Sequence, residues 1–427
     1  MGLAAVIGSA PSYRSFFLAG LIVLSLITHA QDWEVYDMDN SPIPSTTVNS
    51  LLDDGSGGVW VGTDWGLCHF DGDGLWEVFQ TGNSDMPENF IRALAMDAGG
   101  SIWVGFQSAG MAKWDGATWT VFNTSNSFIA ENEVRDLFVD HRNWVWITTS
   151  SGLSVFTGSE WFLYDATDES HDGLILASSS TNCVAVRTDG LVCLGTVNGG
   201  LHFLEEDEVF YLNIPNDGFF DNTATDVLFD PVTGDRWVAT PSAGVLRQQG
   251  PAFGGSWFQW ALNIGFPADG ISALSMDDLS QVWVATHAAG IVQMGTDGNW
   301  VQFDTGNSGL PDNETRSIAA GADGVVWIGT TYGGLARYQA SVGAPELDLD
   351  MPIRVFPNPT TDFVTVVLDQ RVQRFDWSIL TMDGRTVKAG VVAGFSAQLE
   401  LLDLARAPYM IKIGTESSTD LIKVIVR

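Results

Sequence analysis

Three arginines occupy one recurring slot of this chain. Arg92, Arg135 and Arg316 each lie eleven residues before the central tryptophan of a short apolar strand; Asn49, Asn182 and Ser272 fill the slot in other copies, with Thr225 or Asp226 in an irregular one. A guanidinium offers a planar, permanently charged fork of donors that suits sugar hydroxyls and, better, a sugar carboxylate. A second slot, just after each strand, holds Asp64-Trp65, Gln107-Ser108, Ser150-Ser151, Val197-Asn198, Pro241-Ser242, His287-Ala288 and Thr331-Tyr332. Trp65, Tyr332 and His287 are its large rings, and an exposed aromatic beside a cation completes a saccharide platform. The candidate ligand-binding set is therefore Trp65, Tyr332, His287, Arg92, Arg135, Arg316 and Asn49. The competing expectation is structural: inner-strand arginines pair with turn aspartates, and a loop tryptophan packs on its neighbour.

Other chemistry finds less support. His69, His141, His171, His202 and His287 have no metal-ligand spacing, and no serine, histidine and acid recur together at matching positions. No catalytic residue and no metal ligand is assigned. Asp53-Asp54 and Asp71-Gly-Asp73-Gly could offer oxygen ligands to calcium, but neither follows a full calcium-loop spacing, and Asp-Gly is ordinary hairpin-turn chemistry. The many carboxylates leave a glycosidase pair as an alternative, because spacing along the chain does not fix their separation.

The strand that organises these slots occurs seven times: VWVGT at 59–63, IWVGF at 102–106, VWITT at 145–149, VCLGT at 192–196, RWVAT at 236–240, VWVAT at 282–286 and VWIGT at 326–330. Its central residues, Trp60, Trp103, Trp146, Cys193, Trp237, Trp283 and Trp327, are spaced 43, 43, 47, 44, 46 and 44 apart, the interval of a four-stranded propeller blade. These large flat rings are expected to fill the wedges between blades, each burial contributing several kcal/mol, on the order of that for any large apolar side chain. A glycine recurs in the second turn of each copy, at Gly66, Gly110, Gly152, Gly200, Gly244, Gly290 and Gly334, which argues for a backbone requirement. Asn-Ser pairs beginning at Asn40, Asn83, Asn126 and Asn307 open the interblade loops and read as turn caps.

The outermost strand carries an aromatic pair, as in Trp76/Phe79, Trp119/Phe122, Trp161/Tyr164 and Trp300/Phe303. The seventh copy ends at Tyr338 without one, and the missing pair stands at the other end of the repeat region as Trp33-Glu-Val-Tyr36. An N-terminal strand completing blade 7 would close the ring and abolish the open edges of a linear array. On a closed propeller both slots face one side, with Trp65, Tyr332 and His287 on contiguous blades 1, 7 and 6 and the arginines over blades 7, 2 and 3.

The chain has 427 residues and a formal charge of -33, and residues 1–343 carry 41 acidic and 10 basic groups against 11 and 9 in residues 344–427. So acidic a repeat region repels phosphate backbones and anionic lipid, which argues against nucleic-acid and membrane-surface partners. Arg14, the apolar run from Phe16 to Ile27 and Thr28-His29-Ala30 read as a signal peptide over 1–30 with cleavage before Gln31, and no later stretch is long enough to span a bilayer. Cys68, Cys183 and Cys193 are an odd set expected to be small buried side chains, with Val186 rather than Cys183 opposite Cys193.

The order of apolar strand, Asp-containing glycine turn, Trp-Ile/Val-Gly-Thr and Gly-Leu, best preserved in IAAGADGVVWIGTTYGGLARY at 318–338, resembles the two-component regulator propeller repeat, over roughly residues 32–338. Sensors of that family carry a membrane span and kinase domains after the propeller, and their absence here means that phosphotransfer is not expected. RVFPNPTTDFVTVVL at 354–368, WSILTMDGRTV at 377–387, YMIKI at 409–413 and KVIVR at 423–427 resemble the C-terminal sorting domain of the type IX secretion system, with Ala407-Pro408 where the family has glycine before the tyrosine. The resemblance implies a small β-sandwich read by that secretion machinery at the outer membrane.

The expected architecture is all-β: a signal peptide over 1–30, a seven-bladed β-propeller over 31–338 with 33–36 closing blade 7, a linker over 339–352, and a β-sandwich sorting domain over 353–427. The expected function is a secreted or cell-surface noncatalytic module that binds a glycan or surface protein. The alternatives are a carbohydrate-active hydrolase or lyase, and a structural adhesion or matrix protein. No cofactor is expected.

Overall fold

The structure is a computed structural model describing residues 32–167, 174–205, 208–213, 220–250, 257–295, 298–321 and 324–339, and, beyond them, 354–356, 363–367, 374–381, 385–393, 396–401, 404–405, 407–414 and 419–425. Residues 1–30, read above as a signal peptide, PNPTTD at 357–362 and all but Gln339 of the expected linker lie outside the described residues. The chain divides into two compact units, Met1–Ser341 and Val342–Arg427.

The first unit is a ring of seven four-stranded antiparallel sheets. Blade 1 runs outward from Val48–Asp53 through Val59–Thr63 and Leu67–Phe70 to Trp76–Phe79, and the inner strands of successive blades are neighbours all the way round, blade 7 meeting blade 1. Blade 7 consists of Thr315–Ala320, Val325–Thr330 and Leu335–Gln339, with Asp32–Tyr36 as its outermost strand. Trp33 pairs with Tyr338 and Tyr36 with Leu335. Both aromatics of this strand reach neighbouring blades: the Trp33 ring lies 6.1 Å from Phe303 of blade 6, and Tyr36 lies 5.1 Å from Phe70 and 5.5 Å from Trp76 of blade 1.

The seven central residues are all buried, and each packs its own blade against the next; Trp327, wholly inaccessible, sits among Val59, Val61, Cys68 and Phe70 of blade 1. Aspartates of the first hairpin turn reach back to these rings. Asp97, Asp140 and Asp277 accept the indole N–H of Trp103, Trp146 and Trp283 at 3.4, 3.1 and 3.0 Å. The facing residue of the third strand adds a cation in several blades, Lys113 over Trp103, Arg247 over Trp237 and Arg337 over Trp327, with His69 stacked on Trp60.

Every glycine of the second turn has a positive φ, from 75° at Gly290 to 151° at Gly66. In each, a Cβ would run into the carbonyl oxygen of the outermost strand, Phe79 for Gly66 and, across the ring closure, Tyr36 for Gly334. The Asn-Ser pairs form one repeated clip. Asn40, Asn83, Asn126 and Asn307 each accept a main-chain N–H three residues back and donate to a carbonyl five residues back, while the following serine donates to a carbonyl four residues back.

The three cysteines are free and buried. Opposite Cys193 stands Ala185 rather than Val186, because Gly190 in the left-handed region makes the connecting loop one residue longer than a two-residue turn. Asp54 and Asp71 are turn acceptors: Asp54 takes the N–H of Ser56 and Gly58 and bonds His69 at 2.8 Å, and Asp71 takes those of Asp73 and Leu75.

The second unit has a three-stranded sheet of Arg354–Phe356, Phe363–Val367 and Ser396–Glu400, and a four-stranded sheet ordered Thr386–Ala393, Arg374–Thr381, Pro408–Gly414, Thr419–Ile425. Val366 and Leu399 of the first sheet join Phe375, Ile379, Tyr409, Ile411 and Ile413 of the second in one apolar core, which makes it a β-sandwich.

Candidate functional site at the channel mouth

The slot eleven residues before each central tryptophan is a β-bulge. In six blades the register slips by one residue between the first and second strands, and the unpaired residue is Asn49, Arg92, Arg135, Asn182, Ser272 or Arg316. A bulge frees one side chain from the ladder and re-aims it. In blade 5 the first hairpin turn, closed by the Asp230 N–H on the Asp235 carbonyl, is one residue longer than that of blade 1, closed by Asp54 on Gly58, which displaces its copy of the slot to Thr225.

Four of these residues, Asn49, Arg92, Arg135 and Arg316, line a cavity of about 250 Å³ together with Phe90. They belong to the contiguous blades 7, 1, 2 and 3. In blades 4 and 5 the short slot residues reach the main chain of the next blade, Asn182 donating to the Ala224 carbonyl and Thr225 to that of Ile271, both at 2.7 Å, as Asn49 also does to the Ile91 carbonyl at 3.1 Å.

Three blades share one anchor, in which the slot residue bonds the loop residue fifteen positions later. Asn49 donates to Asp64 at 2.7 Å, Arg92 Nε to Gln107 at 2.5 Å and Arg316 Nε to Thr331 at 2.8 Å. Arg316 also donates to Asn49 at 3.3 Å, so Asp64, Asn49, Arg316 and Thr331 form one chain of hydrogen bonds across the ring closure. Trp65 and Tyr332 are the next residues after its two ends; they are 62% and 73% exposed, and neither lines the cavity itself. His287 is exposed on blade 6 but does not line the cavity, and its main-chain N–H donates to the Gly270 carbonyl at 3.0 Å.

The arginines are paired, though with glutamates rather than turn aspartates. Glu133 Oε1 lies 3.2 Å from Arg92 Nη1 and 3.6 Å from Arg135 Nε, and Glu314 Oε1 lies 4.0 Å from Arg316 Nη2. Arg135 Nη1 crosses to blade 4, donating to Ser180 at 2.9 Å and to the Thr181 carbonyl at 3.1 Å. Phe90, Glu133 and Glu314 lie outside the two columns that the repeat spacing picks out. Their signal is two residues upstream of the arginines, in Phe90-Ile-Arg92, Glu133-Val-Arg135 and Glu314-Thr-Arg316, the period at which strand residues share a face.

Deeper along the inner strands lie two carboxyls with raised pKa. Burial pushes Asp136 up to about 6; burial, and then the charge of Asp136, push Asp226 up to about 7. Each uses both oxygens on main-chain N–H groups and so ties its blade to the next: Asp136 to Leu137 and Val184 at 2.8 and 3.0 Å, Asp226 to Val227 and Leu274 at 2.8 and 2.7 Å. Because both folded values exceed the ordinary carboxyl value of 3.8, the folded state keeps protons that the unfolded chain has released. Their stabilisation is complete below that value and is lost as pH rises through the folded values near 6 and 7. His202, lowered to about 4 by burial, has the opposite slope between about 4 and its ordinary value of 6.5, and offsets one of the two aspartates there. The melting temperature should therefore fall between about pH 4 and about pH 7 and level off above, and in Asp226→Asn most of the fall should disappear; a pH-titrated thermal melt measures both.

Residues 354–427 match the family model described as the secretion system C-terminal sorting domain, and residues 309–332 match that of the two component regulator propeller. No curated protein matches the chain. Among solved structures, the extracellular domain of a protein described as a hybrid two component system, BT3049 from B. thetaiotaomicron, is 17% identical with a TM-score of 0.61, covering 92% of this chain and 57% of that one. PorZ, described as an essential bacterial surface component of the type-IX secretion system of Porphyromonas gingivalis, is 16% identical with a TM-score of 0.55, covering 90% of this chain and 60% of that one. A catalytically inactive virginiamycin B lyase from Staphylococcus aureus, solved with quinupristin, is 10% identical with a TM-score of 0.57, covering 72% of this chain and all of that one. At these identities the likeness is one of fold, and the chain spans less than two thirds of the length of the first two.

Proposed function

We propose that this chain, a two component regulator propeller joined to a C-terminal sorting domain for type IX export, acts at the cell surface or beyond it as a noncatalytic module that binds a glycan at the channel mouth. The observation that carries the reading is the cavity of about 250 Å³ on blades 7, 1, 2 and 3, with two exposed aromatics attached to the hydrogen-bond chain at its edge. A cavity with convergent polar groups and an aromatic wall has the composition of a small-ligand site.

Catalysis is the weaker reading because the carboxyls near the mouth are already engaged. Glu133 and Glu314 face guanidiniums, and Asp136 and Asp226 have both oxygens bonded to main chain. A hydrolase needs a carboxyl that carries a proton to the scissile oxygen, and an adjacent guanidinium favours the deprotonated form.

Affinity electrophoresis and a glycan array test the reading. The full chain should be retained by at least one polysaccharide without releasing new reducing ends, and Trp65→Ala with Tyr332→Ala should weaken retention about tenfold, the loss of two stacking contacts. Retention unchanged in the double variant would remove the aromatics from the site. New reducing ends would replace the binding module with an enzyme.

A further inference from the structure

Resting on the reading of the mouth as a glycan site, we infer that its ligand is an uncharged saccharide end presenting adjacent hydroxyls, with Glu133 and Glu314 accepting hydrogen bonds from it. Arginines in so acidic a chain suggest an anionic sugar when the sequence is read by itself. The geometry points the other way.

The three guanidiniums of the mouth are matched by three carboxylates, Asp64, Glu133 and Glu314, each in contact with the network that holds them. The cavity lining itself carries the three guanidiniums, but Glu133 and Glu314 already pair with them, so an anion entering the cavity would compete with carboxylates in place, inside a chain of net charge -33 whose long-range field repels it. Hydroxyls have no such conflict, because each both donates and accepts.

The open valences alternate in the same sense. Glu133 spends Oε1 on Arg92 and Arg135, and Glu314 spends Oε1 on Thr331 and Arg316; among the described residues neither has a partner at Oε2. Arg92 is held by its Nε and Nη1 and Arg135 by its Nε and Nη1, so among the described residues each keeps Nη2 open. Glu133 lies between the guanidiniums of Arg92 on blade 2 and Arg135 on blade 3, so an acceptor is flanked by two donors. Adjacent hydroxyls of a sugar match that order, whereas a carboxylate or sulfate would use the donors and leave the acceptor facing it. Phe90 supplies an apolar wall for the C–H face of the ring. The anchors at Gln107 and Thr331 fix the guanidiniums before ligand arrives, which lowers the ordering cost of binding.

Isothermal titration of the full chain with neutral malto-, cello- and manno-oligosaccharides, and with polygalacturonate, alginate and heparin, reads this directly. A neutral oligosaccharide should bind with an affinity that changes less than about twofold between about 50 and about 500 mM NaCl, since screening acts on net charge. Glu133→Gln and Glu314→Gln should each weaken it about tenfold, the loss of a charge-assisted hydrogen bond. Binding confined to the anionic polymers, with steep loss in salt and a gain in Glu133→Gln, would overturn the inference while leaving a glycan site at the mouth. Binding of neither panel would overturn the glycan reading itself. Gln is isosteric with Glu, and a thermal melt checks each variant; should Glu133→Gln melt early, the half-exposed Glu314 carries the test.

Discussion

Removing residues 32–36 should abolish cooperative unfolding. The truncated chain would keep all seven inner hairpins yet leave the third strand of blade 7, Leu335–Gln339, as an unpaired edge. It would also strip Trp33 from Phe303 and Tyr338, and Tyr36 from Phe70, Trp76 and Trp327, opening both flanks of blade 7. Loss of two large aromatics and a strand ladder exceeds the roughly 5–15 kcal/mol that ordinarily holds a domain together. Near-ultraviolet circular dichroism through a thermal ramp should show no sharp transition and the protein should aggregate through the exposed edge. A truncated protein melting at the parent temperature would mean that the ring closes without this strand.

Gly334→Ala should be the most damaging single methyl group near the closure. Its φ of 80° is costly for any residue with a side chain, and the added Cβ would meet the Tyr36 carbonyl oxygen. Gly100→Ala separates the two effects, since Gly100 has the same φ of 80° but nothing within 4 Å of its Cβ. The control should lose about 1 kcal/mol, the conformational share alone, and Gly334→Ala at least about 3 kcal/mol. Denaturant unfolding at constant slope measures both. Equal losses would show that the approach of Tyr36 to Gly334 is not tight.

The ring was legible in the sequence because its devices recur at fixed offsets. Trp60 to Trp327 mark the second strands, the turn glycines mark a clash that repeats in every blade, and Trp33 with Tyr36 supply the aromatic pair missing after Tyr338. The bulge was half legible. A count of eleven residues finds Asn49, Arg92, Arg135 and Arg316, but that they are unpaired residues follows only from the strand register. Glu133 and Glu314 escape such a count because it fixes on one column and passes over the next residue on the same face. The partner of Cys193 is misplaced by one residue because Gly190 lengthens its turn, a difference that the spelling Asp189-Gly190 does not reveal. Blade 5 blurs the slot between Thr225 and Asp226 for the same reason: its first turn, from Asp230 to Asp235, is one residue longer than those of the other blades, and one residue more in a turn shifts every position before it relative to the central tryptophan.

The bulge has a consequence for how such a ring can change. A side chain that lies outside the ladder contributes little to the pairing of its strands, so the slot at Asn49, Arg92, Arg135, Asn182, Ser272 and Arg316 can be rewritten with small penalty to the scaffold. Each sector can then carry its own residue in that slot, like one letter on a fixed hub, while the glycine turns and wedge tryptophans stay as they are.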